Sequence, residues 1–195
     1  MTPLDEAVAD ADLIRASVRE PEQFAPLFDR HAAAVYHYLA RRIGSAADDL
    51  LAETFLIAFR KRSGYQPLRL EVRPWLFGIA TNVLRRHLRQ EERRYRALAK
   101  AARQDDPGPH FADASAERID ARAVRAELAA ALASLKPGDR DALLLLAWAQ
   151  LTYAEIAVTL DIPIGTVRSR LSRARRQTRE MLAVTQIPTL PEEEM

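Results

Sequence analysis

Residues 151–176 read Leu151-Thr-Tyr-Ala-Glu-Ile-Ala-Val-Thr-Leu-Asp-Ile-Pro-Ile-Gly-Thr-Val-Arg-Ser-Arg-Leu-Ser-Arg-Ala-Arg-Arg176. Thr152 and Glu155 have the spacing of a capping box, in which a hydroxyl and a carboxylate each satisfy an orphan amide at a helix start. A short helix follows, with Ile156, Ala157 and Leu160 predicted to face inward. Asp161-Ile-Pro-Ile164 predicts a tight turn, and Gly165-Thr166 opens the next helix. There Val167, Leu171 and Ala174 fall inward by the helical period, while Ser169, Ser172, Arg173 and Arg176 fall outward with Arg168 beside them. This is the layout of a helix-turn-helix carrying a recognition helix. A major groove about 12 Å wide admits one helix, arginine can hold guanine O6 and N7 with two bonds, and serine reads edges or phosphates. The bland alternative is a helical hairpin with a basic surface.

The rest of the chain is also helix-periodic. Phe24, Leu27, Phe28, His31, Val35, Tyr38 and Leu39 follow one amphipathic stripe that Gly44 ends. Ser45-Ala-Ala-Asp48 supplies the next start signal, for a helix burying Leu50, Leu51, Thr54, Phe55 and Ala58. Asp49, Glu53 and Leu56 are left along a flanking stripe. Residues 63–73 contain Gly64 and Pro67 and read as a loop, and Pro74 suits a first helical turn. Beyond it Leu76, Ile79, Ala80, Val83 and His87 share one face. Gly78, Thr81, Asn82, Arg85 and Arg89 share the other, an unusual dressing for a merely solvated surface. The pattern dissolves between about Tyr95 and Ser115, where Asp105-Asp-Pro-Gly-Pro109 predicts a linker. A second domain begins near Ala116, with a stripe of Val124, Leu128, Leu132 and Leu135, then Pro137-Gly138 and a nearly all-apolar run from Leu143 to Trp148. The expectation is an all-α chain of two small helical domains joined by a flexible linker.

Composition narrows the function classes. The chain has 195 residues, 48% hydrophobic and 29% charged, an ordinary globular balance. It has no cysteine, which excludes disulfides, iron–sulfur clusters, cysteine zinc sites and thiol nucleophiles. His31, His37, His87 and His110 are too scattered to suggest a metal site, so no cofactor is expected. The longest apolar run, Ala142 to Ala149, has eight residues against roughly 20 for a bilayer span, and no export signal opens the chain. A cytoplasmic chain without membrane insertion is expected. The net charge of +2 conceals strong blocks: residues 1–29 sum to −5, 60–103 to +10 and 168–180 to +5. Two separated basic blocks suggest two contacts with a polyanion, solvated arginine-rich surface being the plain alternative.

Residues 139–182, above all Leu151 to Ala157 and Ile162 to Leu171, resemble region 4 of the extracytoplasmic-function (ECF) sigma factors of the sigma-70 family. Ala47-Asp-Asp-Leu-Leu-Ala-Glu-Thr-Phe55 resembles region 2.2, and Pro74-Trp-Leu-Phe-Gly-Ile-Ala-Thr-Asn82 resembles regions 2.3 and 2.4. The resemblance covers about residues 21–94 and 117–182 in the family's order. It implies an acidic N-terminal extension at 1–20, region 2 at 21–95, a linker at 96–116, region 4 at 117–183 and an acidic tail at 184–195. The implied function is a bacterial sigma factor that binds core RNA polymerase and directs promoter-specific initiation. Region 2 would bind the β′ clamp helices and melt the −10 element, while region 4 would bind the β flap and read the −35 element.

On matching positions, the resemblance implies that Asp49, Glu53, Phe55 and Leu56 contact core polymerase. It implies that Asn82, Arg85, Arg89 and Tyr65 meet the −10 DNA, and that Arg168, Ser169, Ser172, Arg173 and Arg176 meet the −35 DNA. Trp75 can be a helix-start anchor or a stacking platform, and Tyr65 a stacking residue or a turn anchor. Departures from the family are Ala52 where many relatives carry glutamine, and Thr81 and Arg86 where an arginine and an aspartate are common. An anti-sigma factor is a further implied partner. Two other classes stay in view: a conventional dimeric helix-turn-helix regulator, which leaves Asp49–Phe55 without a purpose, and a metal-dependent hydrolase using Asp48, Asp49 and Glu53, which lacks supporting ligands.

Overall fold

The computed structural model describes residues 3–66, 71–102, 128 and 130–183, and among these there is no strand. Helices α1 (Pro3–Ser17), α2 (Ala25–Ile43), α3 (Ala47–Lys61) and α4 (Val72–Ala102) form an N-terminal group. Helices α5 (Pro137–Ala147), α6 (Tyr153–Leu160) and α7 (Ile164–Ala183) form a C-terminal one, preceded by helical residues 130–134. Residues 103–116 of the expected linker and the tail at 184–195 lie outside the described residues, as do 67–70 of the expected loop.

Local chemistry sets the boundaries. Gly44 adopts φ 61° after Ile43, a left-handed value that ends α2 and that a Cβ would oppose. The start signal read at Ser45–Asp48 is not a side-chain cap: a one-turn 3-10 segment, Gly44–Ala46, leads into α3 instead, and its N-cap is Ala46. Helix α4 runs on to Ala102, so residues 96–102 are helical where the sequence pattern had dissolved into linker. Residues 96–102 include four alanines and a leucine, strong helix formers that extend the helix without an alternating apolar and polar pattern.

In the N-terminal group Leu27, Val35, Tyr38 and Leu39 of α2 pack with Leu50, Phe55 and Ala58 of α3 and with Leu76, Phe77, Ile79, Ala80, Val83 and Leu84 of α4. Tyr38 lies edge-on to Phe77 at 5.4 Å and shares a 3.0 Å hydrogen bond with Thr81. Thr81, placed on the outer face by the helical period, is therefore buried. The reason is that α4 is covered on more than one side, so its buried arc is wider than one stripe. Helix α1, in the acidic N-terminal extension, packs into this group. Ile14 is buried, and Asp10, also buried, accepts from Arg30 at 2.7 Å and pairs with His31.

In the C-terminal group the capping box forms as read: Glu155 N donates to Thr152 Oγ1 at 3.2 Å, and Thr152 N donates to Glu155 Oε2 at 2.6 Å. Asp161 ends α6 in the left-handed region at φ 52°, turning the chain into α7. Ile156, Val167, Leu171 and Ala174 are fully buried, each large side chain contributing roughly 1.5–3 kcal/mol by leaving water. Thr152→Ala removes one arm of the box and is expected to cost about 0.5–2 kcal/mol. Thermal melting of the variant checks this, and an unchanged midpoint would contradict it.

Candidate nucleic-acid interface

Helix α7 divides sharply. Val167, Leu171 and Ala174 pack onto α5 and α6, while Arg168, Ser169, Ser172, Arg173 and Arg176 are exposed. Ser169 Oγ donates to the Thr166 carbonyl at 3.0 Å, tying its hydroxyl to the helix start. Arg176 lies 3.8 Å from Glu180, a loose exposed pair. Arg173 is different: its Nε and Nη2 donate to Asp139 Oδ2 and Oδ1 at 3.0 and 2.8 Å. Those hydrogen bonds hold the Asp139 carboxyl below its ordinary range, against an opposing effect of burial. Asp139 is a buried acid of α5 that sequence periodicity did not single out.

The −10 candidates are not equivalent. Asn82 and Arg89 are exposed on α4. Arg85 is half-buried, with its Nε donating to Asp141 Oδ2 at 2.6 Å. Tyr65 is half-buried beside Trp75, ring centroids 5.0 Å apart. Burial, then the nearby charge of Glu71, pushes the Tyr65 hydroxyl up to about 12. Tyr65 thus packs against Trp75 at the turn, and both rings rest partly buried on the core.

On α3, Asp49 and Leu56 are exposed and Glu53 is partly so, as the helical period placed them. Glu53 forms an ion pair with Arg86 of α4, which accounts for a base at that departure from the family pattern. Phe55, expected at the polymerase surface, is instead buried, edge-on to Phe28 at 4.8 Å. Its position on the α3 period carries it into the core, and only the family resemblance implies a place at the surface. The exposed apolar groups here are Leu56 (47%) and Phe28 (42%). Phe28 was missed because its spacing matches the buried stripe of α2.

The two groups touch through the outer face of α4. Thr159 Oγ1 donates to the Pro74 carbonyl at 3.2 Å, and Arg73 Nη2 donates to the Ala149 carbonyl at 2.8 Å. Gly78 permits the approach, because a Cβ there would meet the Thr159 carbonyl oxygen at 3.3 Å. Beside it Asp141, 1% exposed, takes Arg85 on one oxygen, and Arg42 Nη1 lies 2.8 Å from the other. A cleft lined by Arg42, Arg85, Arg89, Arg140 and Asp141 opens along this junction. Among the described residues no helix is long and apolar enough to cross a membrane.

Residues 27–94 match the Sigma-70 region 2 family and residues 125–177 match Sigma-70, region 4. The chain is 38% identical over 185 residues to the ECF RNA polymerase sigma factor SigE of Mycolicibacterium smegmatis, covering 93% of this chain and 68% of that one. It belongs to the ECF sigma factors. The sigma factor CarQ of Myxococcus xanthus is 36% identical over 163 residues, covering 83% of this chain and 90% of CarQ. The solved structure of CnrH in complex with the cytosolic domain of CnrY superposes with a TM-score of 0.66 at 25% identity, covering 91% of this sigma factor and 99% of CnrH. This ECF sigma factor therefore binds core RNA polymerase and promoter DNA and directs promoter-specific initiation. The all-α, two-domain architecture expected from the sequence is the architecture of the family. The conventional dimeric regulator is not favoured, since it gives no role to the region 2 match at 27–94.

Proposed function

We propose that this sigma factor divides promoter recognition between its two helical groups, with α7 reading the −35 element and α4 engaging the −10 element. The observation that carries this reading is the α7 face itself, where three arginines and two serines stand exposed opposite a fully buried Val167, Leu171 and Ala174. Arg168, Arg173 and Arg176 supply charge for phosphates and forks for guanine, and Ser169 and Ser172 supply shorter contacts. On α4, Asn82 is the base-contacting candidate, with Arg85 and Arg89 on the adjoining backbone. Tyr65 shapes the wall beside them through Trp75. The protein acts without catalysis of its own, in the bacterial cytoplasm.

Core polymerase meets α3 in this reading, through Asp49, Glu53 and Leu56 against basic β′ clamp helices, with Phe55 supporting Leu56 from the core. The C-terminal group meets the β flap. CnrH is bound by the cytosolic domain of CnrY, and we extend a protein partner to this chain, an anti-sigma factor being the one the family resemblance implies. Glu53→Arg is expected to weaken core binding roughly tenfold or more, because it sets like charges across the interface. Arg86→Ala breaks the same internal ion pair without reversing the stripe and is expected to leave affinity within about twofold. Fluorescence titration of labelled sigma with core polymerase measures both. Equal affinities for Glu53→Arg and the parent would remove Glu53 from the interface.

A further inference from the structure

A guanidinium offers five N–H donors in a rigid plane, arranged along two usable edges. In Arg173 the side edge, Nε and Nη2, is taken by the two carboxylate oxygens of Asp139 at 3.0 and 2.8 Å. The end edge, formed by Nη1 and the second Nη2 hydrogen, is left over. It presents two parallel donors, the arrangement that matches guanine O6 and N7. The two partners differ in burial: the Asp139 side chain is 7% exposed and that of Arg173 is 47% exposed. A buried carboxylate thus grips one edge of a side chain that is half exposed on α7.

We propose that Asp139 is a positioning residue for promoter recognition: it holds the Arg173 guanidinium so that its free end edge is aimed at one guanine of the −35 element. The proposal rests on the reading of α7 as the −35 helix. A long arginine ordinarily loses rotamer freedom when it binds, and a buttress removes that freedom beforehand, so the cost of ordering falls. The plane is fixed as well as the position, and plane is what a two-bond guanine contact requires. Asp139 is itself set by its place in the fold. It lies in the first turn of α5, its N–H bonded to the Lys136 carbonyl at 3.0 Å, and α5 packs along α7. Its carboxyl is held in the ionised form by the same arginine, so the grip is charge-assisted at neutral pH. Nothing in this arrangement requires Asp139 to touch DNA. The guanine preference would then depend on a residue 34 positions away in sequence.

Holoenzyme assembled from core polymerase and the full chain, selecting from promoters with a randomised −35 element, tests the idea. Arg173→Ala is expected to lower guanine preference at one position by about 5- to 150-fold, the range for one two-bond contact. Asp139→Asn, which keeps the size and loses the charge and one acceptor, is expected to lose most of the preference at that same position and leave the others unchanged. Adding Asp139→Asn to Arg173→Ala is expected to change nothing further there. A merely structural role for Asp139 would weaken every position alike, and melting curves of both variants report that separately. Preference retained in Asp139→Asn but lost in Arg173→Ala would overturn the positioning role. So would uniformly tighter binding by Asp139→Asn, which would make Asp139 a competitor for Arg173. Position-independent loss in Arg173→Ala would instead overturn the reading of this arginine as a base contact.

Discussion

Asp141→Ala is expected to part the two helical groups while leaving each of them folded. The side chain is almost wholly buried and lies between Arg42 and Arg85, so its removal leaves two cations facing a gap. Taking one partner from a buried charge cluster costs about 3–5 kcal/mol, far more than the worth of an exposed pair. Within the N-terminal group Arg42 keeps its bond to the Tyr38 hydroxyl at 3.0 Å, so the strain falls on the junction rather than on the α2–α4 core. The remaining junction contacts, Thr159 to Pro74 and Arg73 to Ala149, are hydrogen bonds that water can replace. Small-angle scattering should report a larger radius of gyration for the variant, and circular dichroism an unchanged helix content. An unchanged radius would show that the junction does not depend on Asp141.

Leu171→Ala is expected to destabilise the C-terminal group by about 2–5 kcal/mol, the range for emptying a well-packed leucine site. Leu171 is fully buried on the inward face of α7, with Val167 and Ala174 one turn to either side. The cavity would loosen the helix that carries the proposed −35 contacts, so the loss would reach recognition as well as stability. Urea denaturation followed by circular dichroism measures it, with an N-terminal transition expected at its original midpoint. A shift below about 1 kcal/mol would mean that α7 is not held by this face.

Local features were the legible ones. The Thr152–Glu155 box, the stop at Gly44 and the inward set Val167, Leu171 and Ala174 depend on neighbours within about one or two helical turns, and each stands as the spacing indicated. The family resemblance was carried by the same stretches. What could not be read was pairing over long separations. Asp139 and Asp141 carry no local mark of their pairing, since acids are common near helix starts. Their partners, Arg173, Arg42 and Arg85, lie in other helices and become neighbours only once α5 is packed against α7 and α4. The same holds for Asp10, one of several acids in the N-terminal extension, whose partners are Arg30 and His31. Periodicity also misjudges a helix covered on several sides, which is why Thr81 was placed outside and is buried. Phe28 shows the limit in the other direction, since its spacing puts it on the buried stripe of α2 and it is 42% exposed.

In vitro transcription tests the account most directly. Core polymerase with and without this chain is offered a broad library of bacterial promoter fragments at fixed salt, and RNA 5′ ends are mapped. Discrete new start sites are expected that require the protein and share two upstream elements separated by a fixed spacer. Start sites identical with and without the chain, together with tight binding to DNA in the absence of core, would contradict it.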